Sequence, residues 1–156
     1  MKKHFFRTAL TVLCFSVIGL VSAQDAFEWD AHGIGFTLPD GFTVTSNSGE
    51  EFSGASENIF ITMIPWNDAD ITEADLEDVV VQAASDMAYD DIHDAFDASV
   101  HDFVGVGVYG TKDGVDAVIA AILDTKSGTN MIIIIGYNSG YGEKAQAIYK
   151  SMYAYD

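Results

Sequence analysis

No lysine or arginine occurs between Arg7 and Lys112, an interval that carries 19 Asp and Glu. The formal net charge is −17, and no basic patch is present to neutralise phosphates, so nucleic acid is excluded as a partner. Cysteine is nearly missing too: the single one, Cys14, sits in the N-terminal apolar run. Disulfide staples are thereby excluded, and so is thiol chemistry anywhere beyond that position. Only two prolines occur, Pro39 and Pro65, and no low-complexity tract or internal repeat interrupts the chain. A Pro-rich linker and a repeat architecture are both ruled out.

The N-terminus reads as an export signal of bacterial type. Met1 to Arg7 is basic, Ala9 to Val21 is apolar, and Val21-Ser22-Ala23 offers small residues before Gln24. The apolar run falls short of the about 20 residues that span a bilayer, so no integral membrane segment is expected after cleavage. A lipoprotein signal would place a small residue before the cysteine, and Leu13 is not small. The expected organisation is a signal peptide over residues 1–23 and a single domain over 24–156, exported to the periplasm or secreted. That domain is long enough to bury a core without staples.

Cleavage would remove Lys2, Lys3 and Arg7, leaving four lysines against 24 acids. A surface so charged favours cations or a basic protein partner. A solvated acidic surface suited to a saline setting accounts for the same composition. Nothing in the sequence fixes an oligomeric state.

Apolar periodicity gives the order of elements. Phe27-Glu28-Trp29-Asp30 and Ile34–Pro39 alternate, and Pro39-Asp40-Gly41 is a turn. Phe42–Thr45 and Asn58–Pro65 read as strands. A helix opens at Thr72, with Asp75 in the capping-box position and Ile71 and Leu76 as a hydrophobic staple. Leu76, Val80, Ala83 and Met87 make its buried stripe, and Ile92 and Phe96 extend the pattern at an altered angle. Phe103–Tyr109, Val115–Leu123 and Asn130–Tyr137 follow as a meander. The unbroken Ile132–Ile135 run marks a strand covered on both faces. A closing helix carries Ala145, Ile148, Tyr149, Met152 and Tyr153 on one side. The fold class is α+β: a central, mainly antiparallel sheet flanked by helices, in the order strands, helix, three-stranded meander, helix.

The Gly33-Ile34-Gly35-Phe36-Thr37-Leu38-Pro39-Asp40-Gly41-Phe42 opening resembles that of the PsbP-like and DcrB-like families of exported proteins. The helix, the meander and a final helix near Ile148-Tyr149-Lys150-Ser151 are similar in order. The resemblance implies an antiparallel sheet flanked by helices and a non-catalytic accessory or assembly role. It transfers no functional residue.

Several motifs carry candidate chemistry. His93, Asp97 and His101 are spaced four and four, which on a helix would align two imidazoles and a carboxylate for Zn2+ or a similar metal. On that reading the chain is a divalent-metal-dependent hydrolase or a cation-binding protein; otherwise the segment is an exposed acidic helix. The stretch from Asn67 to Glu73 resembles a calcium loop, yet counting from Asp68 the required Gly and Glu positions hold Glu73 and Val79. Any Ca2+ binding there would be irregular. Gly105, Gly107 and Gly110 match the dinucleotide fingerprint but lead into a turn and another strand, not a helix. Strand glycines of this kind relieve crowding. Ser139 lacks the glycine spacing of a nucleophile elbow. Trp29, Trp66, Tyr137 and Tyr141 are candidates for a binding groove or for core. The composite reading is a non-catalytic exported binding or accessory protein with a strongly acidic surface.

Overall fold

The computed structural model describes residues 24–66 and 70–155. The export signal with Cys14, and the 67–69 part of the calcium-loop resemblance, lie outside the described residues. Strands β1 (Gln24–Trp29) and β2 (Ile34–Pro39) form a hairpin. Gly41, at φ 83°, turns the chain away into β3 (Thr43–Asn47), β4 (Phe52–Ala55) and β5 (Ile59–Trp66).

The first helix begins as the capping residues dictate. Asp75 accepts hydrogen bonds from the Thr72 amide at 2.8 Å and from its hydroxyl at 2.6 Å. These bonds, the hydroxyl's first, hold the Asp75 carboxyl below its ordinary range. A 3-10 turn, Glu73–Asp75, then leads into α1 (Leu76–Asp86). Leu76, Val80 and Ala84 are its fully buried face, whereas Ala83 and Met87 are half-buried at the flank.

The helix does not continue through Ile92 and Phe96. Ala88 and Asp91 adopt φ of 58° and 48°, left-handed values that stop a right-handed helix. The chain instead runs extended into β6 (Phe96–Asp97). The meander follows as expected: β7 (Phe103–Lys112), β8 (Val115–Asp124) and β9 (Asn130–Tyr137). Lys112 opposes Val115 across a two-residue Asp113-Gly114 turn with positive φ at both positions, the geometry that matches strand twist. Helix α2 (Gly142–Lys150) and β10 (Tyr153–Ala154) close the chain. Tyr153 therefore belongs to a strand, not to the helix that the apolar spacing extended over it.

The main antiparallel sheet has seven strands in the order β3-β4-β5-β9-β8-β7-β6, and β1-β2-β10 form a second, smaller sheet. The chain is thus α+β, with its helices on opposite faces of the central sheet. Side chains of β9 alternate between two cores. Met131, Ile133 and Ile135 meet β2, α2 and Trp29; Ile134 meets Leu76, Val80 and Ala84 of α1. The isoleucine run is covered on both faces, as its lack of polar alternation requires. Among the described residues, no helix is long and apolar enough to cross a membrane.

Candidate functional site

The segment after α1 decides the site. Its backbone lies along β7: Asp90 and Thr111 exchange hydrogen bonds at 2.7 and 2.9 Å, His93 N–H donates to the Tyr109 carbonyl at 3.0 Å, and Ala98 N–H donates to that of Gly105 at 3.0 Å. The fingerprint glycines make room for it. A Cβ on Gly107 would lie 2.5 Å from the Phe96 ring, and one on Gly105 would lie 3.1 Å from the Ala98 carbonyl oxygen. Gly110 faces the other way, where a Cβ would lie 3.2 Å from Tyr89. These glycines admit a neighbouring chain, not a pyrophosphate.

The expected triad is therefore not gathered on a helix face. His93 is exposed opposite Tyr109, Asp97 pairs with Val106, and His101 sits at φ 48° in the turn before β7. Tyr109 and Val106 are three residues apart on one strand, so His93 and Asp97 are separated along the sheet edge by about 10 Å. Among the described residues, no group of three His, Cys, Asp or Glu is arranged to hold a metal ion.

Asp97 nevertheless stands at two concavities. One is a cleft of about 370 Å³ between the end of the sheet and α2. Tyr109, Val118 and Tyr137 supply its floor, Phe96 to Val100 one wall, and Glu143, Gln146, Tyr149 and Lys150 the other. Phe96 stacks on Tyr109 with ring centroids 4.7 Å apart. The Tyr149 hydroxyl donates to the Ala98 carbonyl and ties the walls together. The second concavity, about 330 Å³, brings Asp97 beside Glu73 and Glu77 of the helix start, with Ser99, Val104 and Val106. Hydrogen bonds from Ser99 hold the Asp97 carboxyl below its usual range, the amide donating at 2.9 Å.

Burial pushes the Tyr149 phenol far above 10.0, and the charge of Asp97 adds to the shift. Tyr137 is raised by burial first, then by Asp116 and Tyr109. A raised folded-state value means stability that is complete below the unfolded value of 10.0 and lost as pH rises beyond it. Thermal melts should be flat with respect to phenol ionisation up to about pH 10 and then fall, by about 1.4 kcal/mol per pH unit for Tyr149 alone. Tyr149→Phe should shallow that alkaline slope, and an unchanged slope would show that the phenol is not buried. Tyr155, raised to about 12 chiefly by its hydrogen bond to Asp30, acts in the same direction.

With this geometry the chain can be set beside solved structures. Cyanobacterial PsbP from Synechocystis sp. PCC 6803 superposes with a TM-score of 0.58 at 13% identity, over 88% of this chain and 96% of that one. The fold is PsbP-like. The Ran-binding protein Mog1p of Saccharomyces cerevisiae shares it, with a TM-score of 0.56 at 11% identity over 86% of this chain and 97% of Mog1p. No protein-family model matches the chain, and no curated protein matches it in sequence. The PsbP-like fold fixes the layers and the position of α2 against the sheet. Phe96, Tyr109, Tyr149, Glu143 and Glu77 belong to the concavities without being marked by any sequence motif, and Glu73 is marked only as part of the calcium-loop resemblance.

Proposed function

We propose that the chain is an exported, non-catalytic binding or accessory protein that meets a basic protein partner through its carboxylates. The observation that carries this reading is the convergence of Glu73, Glu77 and Asp97 on one concavity with no lysine in its lining. Further exposed acids, Glu57, Asp78, Asp86, Asp90, Asp91 and Asp94, would extend the negative field. Lysine does little to cancel it: only four lysines follow residue 23 against 24 acids, and Lys126 is already paired with Asp102 at 3.0 Å. Mog1p, on the same fold, is a Ran-binding protein, so this scaffold is used elsewhere to bind protein. The export reading rests on the basic Met1–Arg7 and apolar Ala9–Val21 segments that precede Gln24.

The test is binding to polylysine at low and high sodium chloride. Affinity should fall as salt shortens the screening length from about 30 Å at 0.01 M to about 8 Å at 0.15 M. Neutralising Glu73, Glu77 and Asp97 together (E73Q/E77Q/D97N) should weaken binding about tenfold more than the matched D25N/D40N/E50Q variant. Equal losses would reduce the effect to net charge. Melts with Ca2+ or Zn2+ against sodium chloride at matched ionic strength give the rival outcome. A saturable gain from one divalent ion, about 2.7 kcal/mol at 100 times its Kd, would favour the metal-dependent alternative instead.

A further inference from the structure

We infer that the aromatic cleft between α2 and the sheet is a pocket for a guanidinium group, an arginine side chain presented by the basic partner. The inference rests on the basic-partner reading for its source and adds the residue that partner must offer. The cleft is of ligand size at about 370 Å³. Its floor combines the rings of Tyr109 and Tyr137 with Val118, and Tyr109 remains 38% exposed although it stacks on Phe96. An aromatic ring carries negative charge on its face, and a planar, weakly hydrated guanidinium stacks there better than a compact ammonium does.

The charged groups favour one end of the cleft. Glu143 lies in the first turn of α2, and Asp116 faces Tyr137 across the β8–β9 ladder. Lys150 lies seven residues beyond Glu143 on the same helix, about 10 Å further along its axis. At the Tyr149 end it stands against the Asp97 carboxylate, so a bound cation is directed to the Glu143, Tyr137 and Tyr109 end. A carboxylate in this position can accept two parallel N–H bonds from arginine, a geometry that lysine cannot match.

The probes are three five-residue peptides, acetylated and amidated, with arginine, lysine or citrulline between Gly and Ser neighbours. Citrulline keeps the shape of arginine and removes its charge. Amide chemical shifts of the purified protein should move at Phe96, Tyr109, Tyr137 and Glu143 on adding the arginine peptide. Binding should be at least about threefold weaker for lysine and about tenfold weaker for citrulline. Glu143→Gln and Tyr109→Ala, both at exposed positions, should each weaken the arginine peptide about five- to tenfold. Glu50→Gln, in the β3–β4 turn, removes the same charge elsewhere and should leave binding within about twofold. Equal affinity for citrulline, or equal loss in E50Q and E143Q, overturns the pocket. Salt-sensitive polylysine binding together with arginine-peptide binding that ignores E143Q and Y109A overturns the pocket and keeps the basic-partner reading; absence of binding to every cationic probe overturns both.

Discussion

Trp29→Ala should lower the unfolding free energy by about 3–5 kcal/mol, a large part of the roughly 5–15 kcal/mol that holds a domain of this size together. Trp29 is fully buried. Its ring lies edge-on to His32 at 4.3 Å and 6.3 Å from Phe52, and its indole N–H donates to the Ser48 carbonyl in the turn between β3 and β4. The side chain starts on the small sheet and ends on the large one, so its removal opens a cavity where the two meet. Trp29→Phe keeps most of the apolar area and loses the donor, and should cost about 1–3 kcal/mol. Urea unfolding distinguishes the cases. A loss below about 1 kcal/mol for Trp29→Ala would mean that the small sheet lies outside the cooperative unit.

The second large effect concerns β9. Ile133→Ala and Ile134→Ala should each destabilise by about 2–5 kcal/mol, because the two side chains are deleted from different cores. Ile133 is 1% exposed and Ile134 5%, whereas Ile64 on neighbouring β5 is 39% exposed. Ile64→Ala should therefore fall within about 0.5 kcal/mol of the parent. Since the two isoleucines are adjacent yet point to opposite faces, the paired result reads each layer separately. A near-neutral Ile134→Ala would show that α1 does not seal its side of the sheet.

Elements set by local chemistry were legible in the sequence. The Thr72–Asp75 pair marks a helix start that its hydrogen bonds bear out, and Asp113-Gly114 marks the hairpin it forms. The isoleucine run implied two covered faces, and it has them. The site was less legible, for two physical reasons. A spacing of four places residues on one face only if the backbone is helical, and the left-handed φ of Ala88 ends that condition before His93. Alanine rarely adopts this conformation, so its identity gave no warning. The cleft, in turn, is assembled from residues as far apart as Phe96 and Lys150. Tyr137 is among the aromatics the sequence offers for a groove, whereas Tyr109 looks like an ordinary strand aromatic until α2 is placed above it. One signal was available: Gly105 and Gly107 alternate on a strand, and small residues on one face require something bulky to cross it. Phe96 and the Ala98 carbonyl do so.

Strand β2 has β1 on one side and β10, from the last residues of the chain, on the other. The Tyr155 amide adds a 2.8 Å bond to the Gly33 carbonyl, and its hydroxyl a 2.7 Å bond to Asp30. The β1–β2 hairpin therefore depends on a partner strand far along the sequence from itself. The β9 surface beneath it is also distant in sequence, so until both are in place the hairpin has an unpaired edge and an uncovered apolar face. A pairing such as Gly35 opposite Tyr153 joins residues far apart in sequence, and contacts of that kind are slow to find. The small sheet thus acts as a clasp that fastens two distant segments of the fold to each other.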